Sequence, residues 1–286
     1  MLDIDREQIQ TFITLVTYKN FTKSAEMLHV AQSTISARLK NLETDIGKTL
    51  FNRTNRGVQL TTAGHTFLPY AKRLYELFEE SKKKVSSNDH FSERLVVGGP
   101  SSAWNYIFGD ALSTFTSLHR DVALELKTHS SENTISKVLD GIIDVGVSYT
   151  KPTHLNLQIH KQIEDKYIFV SKCKDSGIKT FEDLVSRDFI LNNWGESFID
   201  WFINFTGANY SPAILMNQTS IILKMLQDHN YFTIMPSKIA EPSIQNGHLY
   251  PIEYQFDYEL PSHQIYIFTL KNLENPHSVK NILSLM

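Results

Sequence analysis

"SAEMLHVAQSTISARLKNLE", residues 24–43, sets a short apolar helix, a break at "HVAQS", and a second helix that opens on small and polar side chains. A helix that only packs needs an apolar stripe and a charged remainder. Ile35, Leu39, Leu42 and Ile46 supply that stripe, yet Gln32, Ser33, Thr34, Ser36, Arg38 and Lys40 crowd the opening turns, where packing has no use for them. Working outward, "DREQIQTFITLVTYK" (5–19) lines Ile9, Phe12, Ile13 and Val16 on one face behind Asp5 as N-cap. Thr22 caps the short middle helix, which carries Ala25, Met27 and Leu28, and Gly47 closes the third helix. "TLFNRTNRGVQLT" (49–61) then forms two short strands around Asn55-Arg56-Gly57, a tight hairpin signal. Thr61 or Thr62 caps a longer helix to about residue 85, with Phe67, Tyr70, Ala71, Leu74, Leu77 and Phe78 at helical spacing. The polar "SSNDHFSER" (86–94) is the first clear linker.

Helix, turn, helix, hairpin is the order of a winged helix-turn-helix, whose second helix enters the DNA major groove with its N-terminal side chains against base edges. Gln32 can bond bidentately to an adenine edge; Ser33, Thr34 and Ser36 can bond bases or phosphates; Arg38 or Lys40 can reach phosphate or guanine. Thr22, at the start of the preceding helix, joins this group, and Arg53 and Arg56 beside Gly57 are placed as the charges of a wing. The charge balance agrees. The net charge is -3, but residues 1–90 hold 13 Lys+Arg against 10 Asp+Glu, and the remainder is acidic. A basic end on an acidic body meets a polyanion with one part and does something else with the other.

Beyond residue 93 the pattern changes class. "RLVVGG", "VALELKT", "KYIFVSK", "DFILNN", "YFTIMP" and "QIYIFTL" are strand-like, and helical stretches such as 104–118 lie between them. Strands alternating with helices build a sheet flanked by helices. About 195 residues exceed what one small layer needs, so two α/β subdomains are expected. A cleft between them is lined by loops after strands and by helix starts. The candidates there are Ser101 and Ser102, Ser130 and Ser131, Ser148, Trp194, Thr219 and Ser220.

"FTKSAEMLHVAQSTISARLKNLETDIGKTLFNRTNRGVQLTTAG" (21–64) closely resembles the N-terminal signature of LysR-type transcriptional regulators. Phe21, Ala25, Leu28, Gln32, Ser36, Leu42, Glu43, Gly47, Leu50, Phe51, Arg53, Leu60, Thr61 and Gly64 fall in register, and "GIIDVGV" (141–147) is similar to a later segment of that family. The resemblance implies a winged helix-turn-helix over 1–60, a dimerising linker helix and hinge over 61–92, and a bilobed α/β effector domain over 93–286 like the periplasmic binding proteins. Subdomain I would span about 93–162 and 267–286, and subdomain II about 163–266. It further implies double-stranded DNA with dyad half-sites as partner, assembly as a dimer or tetramer, a small-molecule effector that is often a carboxylate, and RNA polymerase as a further contact. Gln32, Ser33, Ser36 and Arg53 take the DNA-contact role by residue matching. Ser24, Ser33-Thr34 and Ala37 depart from the usual pattern, and the last two bear on which bases are read.

Other classes fit less well. The scattered histidines show no HxxxH spacing, and there is no GxSxG elbow or Walker loop, so neither enzyme nor metal or cofactor protein is expected. A single Cys173 excludes an internal disulfide framework. "MLDIDREQIQ" lacks the form of a secretion signal, and no apolar run approaches a membrane span, so a cytoplasmic protein is expected. A cytoplasmic solute-binding protein without a DNA role is the alternative, but it has no use for the row from Gln32 to Arg53.

Overall fold

The computed structural model describes residues 4–54, 57–85, 91–174, 177, 179–207, 211–255, 259–271 and 276–286. The chain divides into two compact units, Met1–Asn88 and Asp89–Met286.

In the first unit α1 (Arg6–Tyr18) starts in a reciprocal cap: the Asp5 carboxylate accepts from Gln8 N at 2.7 Å, and the Gln8 side chain accepts from Asp5 N at 3.4 Å. α2 (Phe21–Leu28) is capped by Asn20, whose side chain accepts from Lys23 N at 3.0 Å. The cap expected at Thr22 therefore falls two residues earlier, and Thr22 lies exposed inside the helix. Met27 is likewise outside the core, at 50% exposure, because this two-turn helix rests on its neighbours through Ser24 and Ala25. α3 (Gln32–Ile46) buries Ile35, Leu39 and Leu42 and ends on Gly47, whose φ of 72° suits glycine. β1 (Phe51–Thr54) and β2 (Gly57–Leu60) pair antiparallel, Phe51 opposite Leu60, and α4 (Thr62–Val85) follows.

The core of this unit is aromatic at its centre. Phe12 meets Phe51 at 5.2 Å and Phe67 at 5.1 Å between ring centroids, with Leu15, Ile35, Leu42 and Leu50 fully buried around them. The Glu43 carboxylate accepts from Leu50 N at 2.6 Å and from Phe51 N at 3.2 Å. It thereby ties the last turns of α3 to the hairpin. At the same open end of the hairpin the Thr61 hydroxyl accepts from Gly64 N at 3.0 Å and donates to the Thr49 carbonyl at 2.8 Å.

In the second unit the elements run β3 (Glu93–Gly99), a π-helical turn at Ala103–Ile107, α5 (Gly109–Leu118), β4 (Val122–Thr128), α6 (Ser131–Leu139), β5 (Val145–Ser148), β6 (Leu157–Ser171), α7 (Phe181–Leu184), β7 (Phe189–Asn192), α8 (Glu196–Thr206), β8 (Ile214–Met216), α9 (Thr219–Asp228), β9 (Phe232–Pro236), α10 (Ser237–Gln245), β10 (Tyr250–Ile252), β11 (Ser262–Leu270) and α11 (His277–Leu285). The single helix expected over 104–118 is thus split by the π turn. Sheet order is β4-β3-β5-β11-β6-β9-β7-β8, with β10 also on β6. β3, β4 and β5 are parallel, as are β9, β7 and β8, whereas β11 and β6 run antiparallel to each other and to their neighbours β5 and β9.

Two cores make this unit bilobed. One gathers Leu95, Val97, Phe115, Val145, Ile265, Ile267 and Val279; the other gathers Phe169, Phe189, Phe198, Phe202, Leu226, Phe232 and Ile239. β6 passes from one lobe to the other, pairing with β11 over Leu157–Lys166 and with β9 over Tyr167–Ser171, so the crossing is made within the sheet. The "GIIDVGV" stretch has a structural task in the first lobe: the Asp144 carboxylate accepts from Val96 N at 2.8 Å while Asp144 N donates to the Val96 carbonyl at 2.9 Å.

Gly64 tests the packing of the first unit. A Cβ there would stand 2.2 Å from the Leu50 carbonyl oxygen, a backbone atom already fixed by the hairpin. Gly64→Ala should cost about 1–3 kcal/mol, read as a lower urea midpoint for that unit; an unchanged midpoint would contradict this packing.

Candidate functional site

The burial of Ile35, Leu39 and Leu42 decides which way the rest of α3 points. Gln32, Ser33 and Lys40 are exposed, and Thr34 and Ser36 are half-buried beside them. Ser33, Ser36, Ala37 and Lys40 recur at the three- and four-residue spacing of one helix face. The N-cap Ala31 makes no side-chain bond, while Thr34 N and Ile35 N both return to its carbonyl. The first amides of α3 are therefore left for an outside acceptor such as a phosphate. The Thr22 hydroxyl lies 3.4 Å from Gln32 Oε1, which brings α2 to the same surface.

Arg38 is the exception. Its guanidinium turns to α1 and pairs with the Glu7 carboxylate, so it braces α1 against α3 instead of standing free for phosphate or guanine. In the hairpin, Arg53 is described by its backbone alone, paired with Val58, and Arg56 lies outside the described residues.

The second unit has a cavity of about 380 Å³ between its lobes. Ser101, Ser102, Ser130 and Ser131 line it from the first lobe, and Trp194 and Thr219 from the second. Several are held by local bonds as well. Ser130 caps α6 by accepting from Asn133 N at 3.3 Å, Ser131 Oγ accepts from Tyr149 N at 2.9 Å, and Ser102 Oγ lies 2.7 Å from Tyr149 Oη. Trp194 Nε1 donates to the Ile234 carbonyl at 2.8 Å, which fixes the ring at the cavity wall.

Ser148 and Ser220 do not line the cavity. Ser148 is fully buried at the end of β5 and donates to the Thr150 carbonyl at 2.6 Å, and it is the next residue, Tyr149, just past the strand, that lines the cavity. Ser220 is exposed one residue inside α9, past the position that faces the cleft. Sequence reasoning missed Thr128, His129, Glu132, Tyr149, Thr150 and Asn217, and it placed Asn192 and Asn193 only at the end of the strand-like "DFILNN". Nothing local marks the others.

Tyr149, Thr150, Trp194 and Gly195 are shared with a second cavity of about 520 Å³. His263 lines it, 2% exposed, with Nδ1 3.1 Å from Tyr167 Oη and its ring 4.6 Å from that of Tyr149. Burial holds the His263 imidazole down to about 4, against an opposing pull from Asp165, and pushes the Tyr149 and Tyr167 phenols up. Asp165 is itself buried on β6, where it accepts from the Ser237 hydroxyl and from Lys238 N at 3.0 Å at the start of α10. Among the described residues no group of three or more His, Cys, Asp or Glu is placed to hold a metal ion. Among them, too, no helix is long and apolar enough to cross a membrane.

An outward-facing helix-turn-helix joined to a bilobed domain with a lined cleft is the architecture of a ligand-responsive DNA-binding regulator. The model of bacterial regulatory helix-turn-helix proteins of the lysR family matches residues 6–65, and that of the LysR substrate binding domain matches residues 88–286. The chain belongs to the LysR family of transcriptional regulators, with a DNA-binding helix-turn-helix and an effector-binding domain. It is 32% identical to a probable RuBisCO transcriptional regulator of Thalassiosira pseudonana, over 71% of this chain and 69% of that one. It is 28% identical to the HTH-type transcriptional regulator CitR of Bacillus subtilis, over 59% of this chain and 58% of that one. Among solved structures it is similar to CbnR, a LysR family transcriptional regulator, with a TM-score of 0.70 and 22% identity over 98% of this chain and 97% of that one. Full-length CbnR complexed with its target DNA gives 0.69 and 21%, over 98% of both chains.

His263 sets a pH dependence. Its folded value of about 4 lies below the ordinary 6.5, so between those values the unfolded chain takes up a proton that the folded one refuses. Stability should fall as pH drops through that window, by at most about 3 kcal/mol from this group, and should not depend on it above. Urea unfolding at pH 7 and pH 4.5 should show a smaller loss for His263→Gln than for wild type; equal losses would contradict a buried neutral imidazole.

Proposed function

We propose that α3 reads a promoter site through Gln32, Ser33, Thr34, Ser36 and Lys40, with Thr22 beside Gln32 and with Arg53 and Arg56 on the wing's phosphates. The observation that carries it is the open face of α3 opposite a fully buried stripe, at a helix start with no cap of its own. Arg38, committed to Glu7, acts by holding α3 in place. The chain then works as a regulator in the cytoplasm and performs no catalysis of its own.

A second copy completes the reader. Tyr70, Leu74, Leu77 and Phe78 of α4 are exposed by 41–62%, although Phe67 and Ala71 of the same helix pack into the first unit. Four large apolar side chains on one helix need a partner, and the same helix of another subunit supplies it with the two-fold symmetry of paired half-sites. Arg6 stiffens the stripe's edge, lying 5.3 Å over the Phe78 ring and pairing with Glu79 at 2.6 Å. The proposal includes a dimer through α4, a tetramer built from two dimers, and RNA polymerase as a further contact.

The cleft holds a small effector, and a carboxylate suits its hydroxyl-lined helix starts. Its binding would change how the two lobes sit about β6, the strand they share.

Fluorescence anisotropy with the duplex upstream of the protein's own reading frame tests the DNA assignment. Gln32→Ala should cost about 1–3 kcal/mol on that duplex and flatten its base preference. Arg53→Ala should weaken all duplexes alike and lower the slope of log affinity on log salt by about 1. If neither variant differs from wild type, these contacts are wrong.

A further inference from the structure

The two walls of the inter-lobe cavity differ in charge and in what they leave unsatisfied. On the second lobe, the Asn192 carboxamide lines the cavity at 3% exposure and has no hydrogen-bond partner among the described residues. Thr219, 7% exposed, also lines it and opens α9. The N-cap Gln218 of that helix makes no side-chain bond, and its first turn carries no acid. Ile221 N and Ile222 N both return to the Gln218 carbonyl at 3.1 Å, so the amides of Thr219 and Ser220 are unmatched by a backbone acceptor among the described residues. Unsatisfied donors at a helix start are a seat for a carboxylate.

The first lobe offers the reverse. α6 is already closed by Ser130, and Ser131 is taken by Tyr149 N. Glu132 stands exposed in the first turn of α6 and lines the same cavity, where among the described residues its carboxylate accepts from the Thr150 hydroxyl at 3.4 Å. None of the described lining residues is Lys or Arg, and the one basic side chain among them is the imidazole of His129, so no permanent cation of the lining answers this carboxylate. A ligand that is only an anion would be drawn to Thr219 and repelled by Glu132 in one small cavity. An uncharged ligand would leave the donors at the start of α9 unmatched.

We propose that the effector is a zwitterion of the α-amino acid type, with its carboxylate on Asn192, Thr219 and the start of α9 and its ammonium on Glu132. The inference rests on the reading that this cleft holds the effector. Glu132 is then the residue that selects an amine-bearing acid over the same acid without its amine. Because the ligand's two charges are satisfied by different lobes, it also links them across the cleft.

The test uses the full chain and calorimetric titration with the proteinogenic L-amino acids, each beside its 2-hydroxy acid counterpart where one exists. At least one amino acid should bind, with its hydroxy acid at least ~10-fold weaker, and Glu132→Gln should weaken the amino acid by ~10-fold or more while leaving the hydroxy acid unchanged. A role for Glu132 confined to the α6 dipole would alter stability without changing that preference. The proposal is overturned if hydroxy acids bind as tightly, if Glu132→Gln leaves the preference intact, or if neither class binds. Ser101→Trp, at an exposed lining position, separates this from the underlying reading: an amino acid whose affinity survives that block binds elsewhere, and then the cleft reading itself fails.

Discussion

The seam of Ile35, Leu39 and Leu42 against α1 is the constraint on which the first unit depends. Each of these side chains is worth about 1.5–3 kcal/mol when buried. Turning α3 to hide Gln32 and Ser33 would expose all three, a loss larger than any single base contact returns. The polar row is therefore outward because the apolar row is inward. Glu43 reinforces this from the far end, since its two bonds to Leu50 N and Phe51 N stop the helix from rolling relative to the hairpin. The Arg38–Glu7 pair braces the other side; being largely exposed at Glu7, it contributes orientation more than stability.

A similar logic runs through the second unit on a larger scale. Each lobe closes its own apolar core, and one long strand, β6, belongs to both. The cavity sits where the loops after β3, β4 and β5 face the loop after β7 and the start of α9. Positions near strand ends and helix starts carry unsatisfied backbone groups, which is why hydroxyls, amides and one carboxylate gather there. Tyr149 and Trp194 line both this cavity and the second one, where the Tyr149 ring lies 4.6 Å from that of His263 and His263 meets Tyr167 Oη.

Much of the first unit was legible in the sequence because its helices are amphipathic and its turns carry their own chemistry. Asp5, Gly47 and Thr61 act as their residue types suggest. Thr22 did not cap α2 because Asn20, two residues earlier, already offers a side-chain oxygen in the right place. The signature from Phe21 to Gly64 made the family readable, and the structure shows what some of its members do: Glu43 holds amides, and Gly64 leaves room for a carbonyl. The lobes were less legible. The first half of β6 is largely exposed and polar, so its pairing with β11 leaves little periodic trace, and β8 and β10 are three residues each. At the cleft, a serine that lines the cavity and one that does not look alike in sequence: Ser130 lines it while capping α6, whereas Ser148 and Ser220 miss it. Glu132 and Asn192 come together only through the fold.

The central claim, that the outward row of α3 is the surface that meets DNA, is tested most directly by chemical protection. In a Cys173→Ser background, single cysteines at positions 33, 37 and 40 are alkylated with a maleimide, free and with a saturating promoter duplex. Duplex should slow the reaction at all three positions, while a cysteine at Met27, exposed on α2 and roughly 140° around that helix from Thr22, serves as the unprotected reference. Duplex binding that leaves positions 33, 37 and 40 as reactive as before would contradict the account.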